Sequence, residues 1–156
     1  MLYSDLTAQN VKAMLDSGAP PTEVLRLTAQ RACIDPTAYR LSLARGADVN
    51  ARNRNGYTPL IEVAQFRDGA KALKALLDAG ADVNAVNNDG ETALMQAVHW
   101  FGGVESARVL VRAGANKAIK DKRGRTAADH ARLFGGTNLT YEGRSQERQQ
   151  LAEILA

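Results

Sequence analysis

Apolar residues along this chain fall into short stripes at helical spacing, separated by polar turns that recur at a fixed step. Leu60, Val63 and Ala64 form one stripe, Leu73, Leu76 and Leu77 a second, and Gly69 divides them. Apolar positions three and four residues apart share one face of a helix, so each stripe predicts a short amphipathic helix. The arrangement then returns: Gly56, Gly90 and Gly124 stand 34 residues apart, as do Thr58, Thr92 and Thr126, and Gly46, Gly80 and Gly114. Self-similarity at such a period marks a stacked repeat.

The residues within one unit have separable tasks. Gly56 suits a turn with positive φ. Thr58 is placed to cap a helix by accepting from a free N–H, and Pro59 follows at the first helical position, where its missing N–H costs nothing. Gly80 suits a helix stop. The unit therefore reads as helix, tight turn, helix and an extended finger through Asp82, Val83 and Asn84. One such pair has apolar surface on two sides and must stack on its neighbours.

Away from the regular units the pattern degenerates. Residues 1–21 read as an N-terminal cap, with Leu6, Val11, Met14 and Leu15 on one face of a helix from about Ser4 to Ser17. Residues 22–52 read as an irregular repeat in which Thr22 caps a helix running to about Cys33 and Asp35-Pro36 opens its partner. Residues 53–86 and 87–120 are the regular repeats, and 121–156 a C-terminal capping repeat with an inserted loop at 135–144. Leu151, Ile154 and Leu155 give the closing helix one apolar face. Together these form a single domain.

Gly56-Tyr57-Thr58-Pro59-Leu60, with Leu76 through Ala85, resembles the ankyrin repeat. Gly90-Glu91-Thr92-Ala93-Leu94 with Ala113-Gly114-Ala115-Asn116 is a second copy, and Gly124 through Asp129 opens a third. The chain departs from the family where histidine usually follows Thr-Pro-Leu: Ile61, Met95 and Asp129 stand there. The family's usual step is also one residue shorter. The resemblance implies an all-α ankyrin-repeat solenoid of about five helix-turn-helix units with capping ends. It also implies a concave face of inner helices and fingers that grips a partner protein.

Composition narrows the setting. Aromatics are only 5% of the chain, as helix pairs packed through Ala and Leu allow, and no apolar run is long enough to span a membrane. The N-terminus shows no basic segment followed by an apolar run, so no signal peptide is expected. Cys33 is the single cysteine, which precludes an intrachain disulfide and suits a reducing, cytoplasmic compartment. The net charge of +3 does not by itself call for nucleic acid.

Candidate chemistry is sparse. Phe66, Trp100 and Phe134 keep the repeat step and form an aromatic ladder. Two readings of it stay open: anchors for a partner, or fillers packed beneath the turns. The flanking registers are Gln65, His99 and Leu133, then Arg67, Phe101 and Gly135. Glu62, Gln96 and His130 vary from unit to unit, as a face fitted to a partner would and as a plain solvated face would; the solvated reading is favoured. The fingers differ in charge: Arg52 and Arg54 on the first, Asp89 and Glu91 on the second. Lys117, Lys120, Lys122, Arg123 and Arg125 crowd the third, with Asp121 alone to offset them.

One cysteine and two histidines give no zinc spacing, and no phosphate-binding fingerprint is present. No metal, cofactor or catalytic residue is expected. The sequence points to a non-catalytic interaction module, monomeric when free and off the membrane, that inhibits or regulates a protein partner. Its expected contacts are Phe66, Trp100, Phe134, His99, Phe101, Arg67, Tyr57, Glu91, Arg125, Lys122 and Arg123. The alternative is a binder of nucleic acid or a phosphate-bearing ligand through the basic third finger.

Overall fold

The structure is a computed structural model that describes residues 6–31, 35–99, 103–134 and 141–156, the side chains of 134 and 141–145 excepted. Local sequence explains where its helices start. Thr58, Thr92 and Thr126 accept from the N–H three residues on, at 3.4, 3.3 and 3.4 Å, and so start α4 (Pro59–Ala64), α6 (Ala93–His99) and α8 (Ala127–Phe134). In the last case Asp129 Oδ2 reciprocates, accepting from the Thr126 N–H at 2.9 Å, which closes a capping box. Gly80 ends α5 (Ala70–Asp78) with φ +90°, a left-handed turn that a Cβ disfavours.

The remaining helices are α1 (Ala8–Asp16), α2 (Pro21–Gln30), α3 (Pro36–Ala44), α7 (Gly103–Arg112) and α9 (Tyr141–Leu155). They form two layers. The inner layer runs α2, α4, α6, α8, each packed on the next; the outer runs α1, α3, α5, α7, α9 in the same way. Pairs α2/α3, α4/α5, α6/α7 and α8/α9 are thus stacked units, as the repeat required, and among the described residues the N-terminal cap is the single helix α1. The core lies between the layers and between units. Leu60, Leu76, Leu94 and Leu110 are all buried, and each contributes about 1.5–3 kcal/mol of transfer free energy.

Two local expectations are corrected. Thr22 does not cap α2, whose N-cap is Pro20 with no side-chain bond. The Thr22 hydroxyl instead accepts from the Asp48 N–H at 3.0 Å. Asn50 does the same for Asp82, and Asn84 for Asn116, both at 2.8 Å, so Thr22 stands in for a recurring asparagine that bonds one unit to the next. The predicted loop at 135–144 is also too long, because α9 begins at Tyr141; residues 135–140 lie outside the described residues. Extending a helix already anchored by Leu151 and Leu155 is cheaper than starting one, and Gly143 opposes it by only about 1 kcal/mol.

The last unit closes the stack. Ala128 and Arg132 occupy the positions held by Leu94 and Val98 one unit earlier. A groove of about 410 Å³ remains between α8 and α9, lined by Ala131, Leu151 and Leu155 with Arg132 and Arg148. Trimming the stacking face to alanine and adding charge makes it compatible with water.

Candidate functional site

Of the aromatic ladder the structure places one side chain. Phe66 is half-buried in the connection from α4 to α5, its N–H bonded to the Val63 carbonyl at 3.1 Å. Gly69 ends that connection so tightly that an added Cβ would lie 2.6 Å from the Val63 oxygen. Phe134 is the last residue of α8 and its side chain is not described; Trp100 and Phe101 lie outside the described residues. Gln65 and His99 are half-buried, while Leu133 is 59% exposed. Arg67 is exposed and pairs with Glu147 of α9 at 3.2 Å, a contact across 80 residues that nothing in the repeat pattern announced.

The set Glu62, Gln96 and His130 is not solvated. His130 is fully buried, Gln96 is 2% exposed and Glu62 is half-buried. Their helix face turns toward the base of the fingers, where the sequence places Asn53, Asn87 and Asp121 at the same repeat step. Asn53 Nδ2 donates to Glu62 at 2.8 Å. Gln96 Nε2 donates to Glu91 at 2.6 Å, and Asn87 Nδ2 donates to the same carboxylate at 3.0 Å. His130 Nε2 lies 2.9 Å from Asp121 Oδ2. Burial pushes the Glu62 carboxyl up, against the pull of Arg26 and Asn53. It likewise raises the Tyr57 phenol, with Glu91 adding to the effect.

The third unit pair is linked to the fourth through a pair of histidines. His99 Nδ1 lies 3.1 Å from His130 Nδ1, with the rings tilted by 45°. When His130 is neutral and donates from Nε2 to Asp121, its Nδ1 must accept, so His99 donates. Arg125 completes the cluster, with Nε and Nη2 at 2.9 and 2.8 Å from Asp121 Oδ2. Burial opposes a charge on Asp121. The N–H groups of Arg125 and Arg123, the guanidinium and His130 outweigh it and hold the carboxyl well below the usual range. Donor atoms of Glu91, Asp121 and His130 converge within 4.8 Å, but the cation already seated on Asp121 is Arg125.

Burial lowers the His99 pKa, and repulsion from His130 and Arg125 adds to this against the attraction of Glu91. The unfolded chain therefore binds a proton at His99 more readily than the native protein does. Stability from this group is complete above the free histidine value of about 6.5 and is lost as pH falls through the lowered native value. Denaturation midpoints should drop from about pH 7 to about pH 5, and His99→Gln should flatten that drop. An equal slope in wild type and variant would assign the dependence elsewhere.

The fingers share one backbone and differ in side chains. Asn53, Asn87 and Asp121 each accept two N–H groups from their own turn, all at 2.9–3.0 Å. Neighbouring tips are bonded to each other: the Asn88 N–H to the Asn55 carbonyl and the Lys122 N–H to the Asp89 carbonyl, both at 2.9 Å. On this frame Tyr57 and Glu91 are half-buried at the same repeat position as Arg125, while Lys122 and Arg123 are exposed at the third tip.

Among the described residues, no helix is long and apolar enough to cross a membrane. No individual curated protein matches the chain. The family profile of ankyrin repeats, in three copies, matches residues 25–132, which spans α3 through α7 whole and most of α2 and α8. With its paired helices, two layers and bonded fingers, this chain belongs to the ankyrin-repeat family, whose members are generally non-catalytic modules for protein–protein interaction.

Proposed function

We propose that this protein binds one partner protein through its inner-helix face and fingers, and acts as an inhibitor or regulator of that partner. The observation that carries this reading is a fixed backbone with varied side chains. Three fingers repeat the same hydrogen bonds, yet expose Arg54, Asn88 and Lys122 at one position and Asn55, Asp89 and Arg123 at the next. A scaffold held in place before binding loses little ordering entropy when a partner docks. Phe66, Trp100 and Phe134 with His99, Phe101 and Arg67 supply one edge of the contact, and Lys122 and Arg123 the other. Binding of nucleic acid or a phosphate-bearing ligand is the second reading, favoured by the cations of the third finger. Affinity that falls steeply with salt would support it.

Capture from source cells with wild type and Trp100→Ala, read by mass spectrometry and then by affinity, tests the first reading. As an anchor, Trp100 should contribute about 2 kcal/mol or more to binding. Its removal should then cost less than the about 3–5 kcal/mol of stability lost with a fully buried aromatic. The reverse ranking would make the ladder core. Trp100 is the one tryptophan, so quenchable emission that changes with the captured partner reports on this edge alone.

A further inference from the structure

The sequence sets one acid, Asp121, against the cations of the third finger, and the structure removes it from that balance. Asp121 is turned inward and 6% exposed, and its oxygens are taken by Arg125, by His130 and by two backbone N–H groups. Arg125 is consumed in the same bond. Lys120, Lys122 and Arg123 are therefore left exposed on the third finger. Among the described residues no ion pair involves these three or Arg54 of the first finger. The second finger is opposite in sign. Its exposed charge is Asp89, while Glu91 bonds inward to Asn87 and Gln96. Because the tips are bonded backbone to backbone, the fingers carry their charges in a set order: cationic, anionic, cationic.

We infer that this row docks a protein surface of complementary order: acidic opposite Arg54, basic opposite Asp89, and acidic opposite Lys120, Lys122 and Arg123. The inference rests on the protein-binding reading and adds the chemistry of the partner. A phosphate backbone fits the row less well. It would carry negative charge past Asp89, and no aromatic side chains alternate with these cations to stack bases. Complementary charge at such a rim steers encounter and fixes register, and like charge brought together is penalised.

The test uses three fluorescein-labelled probes of matched length, read by anisotropy at about 0.02 M salt, where surface charges are weakly screened. One is a peptide with glutamates at both ends and lysines at its centre. The second has the same composition with the lysines moved to the ends. The third is duplex DNA. The ordered peptide should bind wild type more tightly than the rearranged one does. It should lose at least about fivefold in affinity with Asp89→Lys, and again with the double change Lys122→Glu and Arg123→Glu. All three residues are exposed, so the variants should fold as wild type does. If Asp89→Lys strengthens the ordered peptide, or both peptides bind alike, the row is an unspecific basic patch and the inference fails. Tighter binding of DNA than of either peptide would make it a phosphate track, and no binding of any probe would also overturn it. None of these failures touches partner capture that depends on Trp100, so the broader reading stands or falls by its own experiment.

Discussion

Asp121→Ala destabilises this protein by about 3–5 kcal/mol, the range for breaking one side of a buried ion pair. The carboxylate is the common acceptor for the Arg125 guanidinium, His130 Nε2 and the N–H groups of Arg123 and Arg125. Alanine strands all four donors, two of them on side chains that are buried or nearly so. Asp121→Asn should cost less, because asparagine already does the backbone half of this work at Asn53 and Asn87. The difference between the variants isolates the charge. With its pKa lowered, Asp121 contributes stability that is complete above the free value of about 3.9 and is lost only as pH falls through the native value. Urea midpoints at neutral pH decide the matter: Asp121→Ala within about 1 kcal/mol of wild type would mean the cluster is relaxed by solvent.

Leu94→Ala lowers stability by about 2–5 kcal/mol, the lost transfer free energy plus the cavity left behind. Leu94 is 1% exposed on α6, which packs between α4 and α8 as well as on its own partner α7. Three neighbouring helices cannot all collapse onto one vacated site, so relaxation fills little of it. Ala128, at the same repeat position one unit later, is half-buried beside the terminal groove, where no further inner helix packs and a leucine would gain less. A denaturation midpoint unmoved by Leu94→Ala would contradict the burial.

The helix pairs, the threonine caps and the buried leucines were legible in the sequence because each rests on local chemistry repeated at one step. The polar row Glu62, Gln96 and His130 turns inward although polarity suggests exposure. Its signal was present: Asn53 stands nine residues before Glu62, Asn87 nine before Gln96, and Asp121 nine before His130. A buried polar side chain needs a partner: Glu62 and His130 find Asn53 and Asp121 at the base of a finger, and Gln96 reaches Asn87 through the Glu91 carboxylate that both bond. Thr22 departs from its local signal. A hydroxyl beside a helix start suggested a cap, but Pro20 already sets that entry and the hydroxyl bonds the neighbouring unit. The Arg67–Glu147 contact was not legible at all, since the direction of α9 depends on packing against α7 rather than on its own residues.

Several of the bonds between units recur at the repeat step and fall into two sets. One joins the finger tips, Asn55 to Asn88 and Asp89 to Lys122; the other joins the turns after the outer helices, Asn50 to Asp82 and Asn84 to Asn116, with Thr22 in the first turn of α2 bonded to Asp48 at its start. Asn50 and Asn55 both lie in the connection from α3 to α4, and Asp82 and Asn88 in the one from α5 to α6, so the two sets of bonds brace the same ends of the helices. Under tension along the stack the load is shared between greasy contacts, which yield gradually, and short polar links, which yield at small extension. Because each unit touches only its neighbours, parting of one link is expected to release the stack unit by unit rather than all at once.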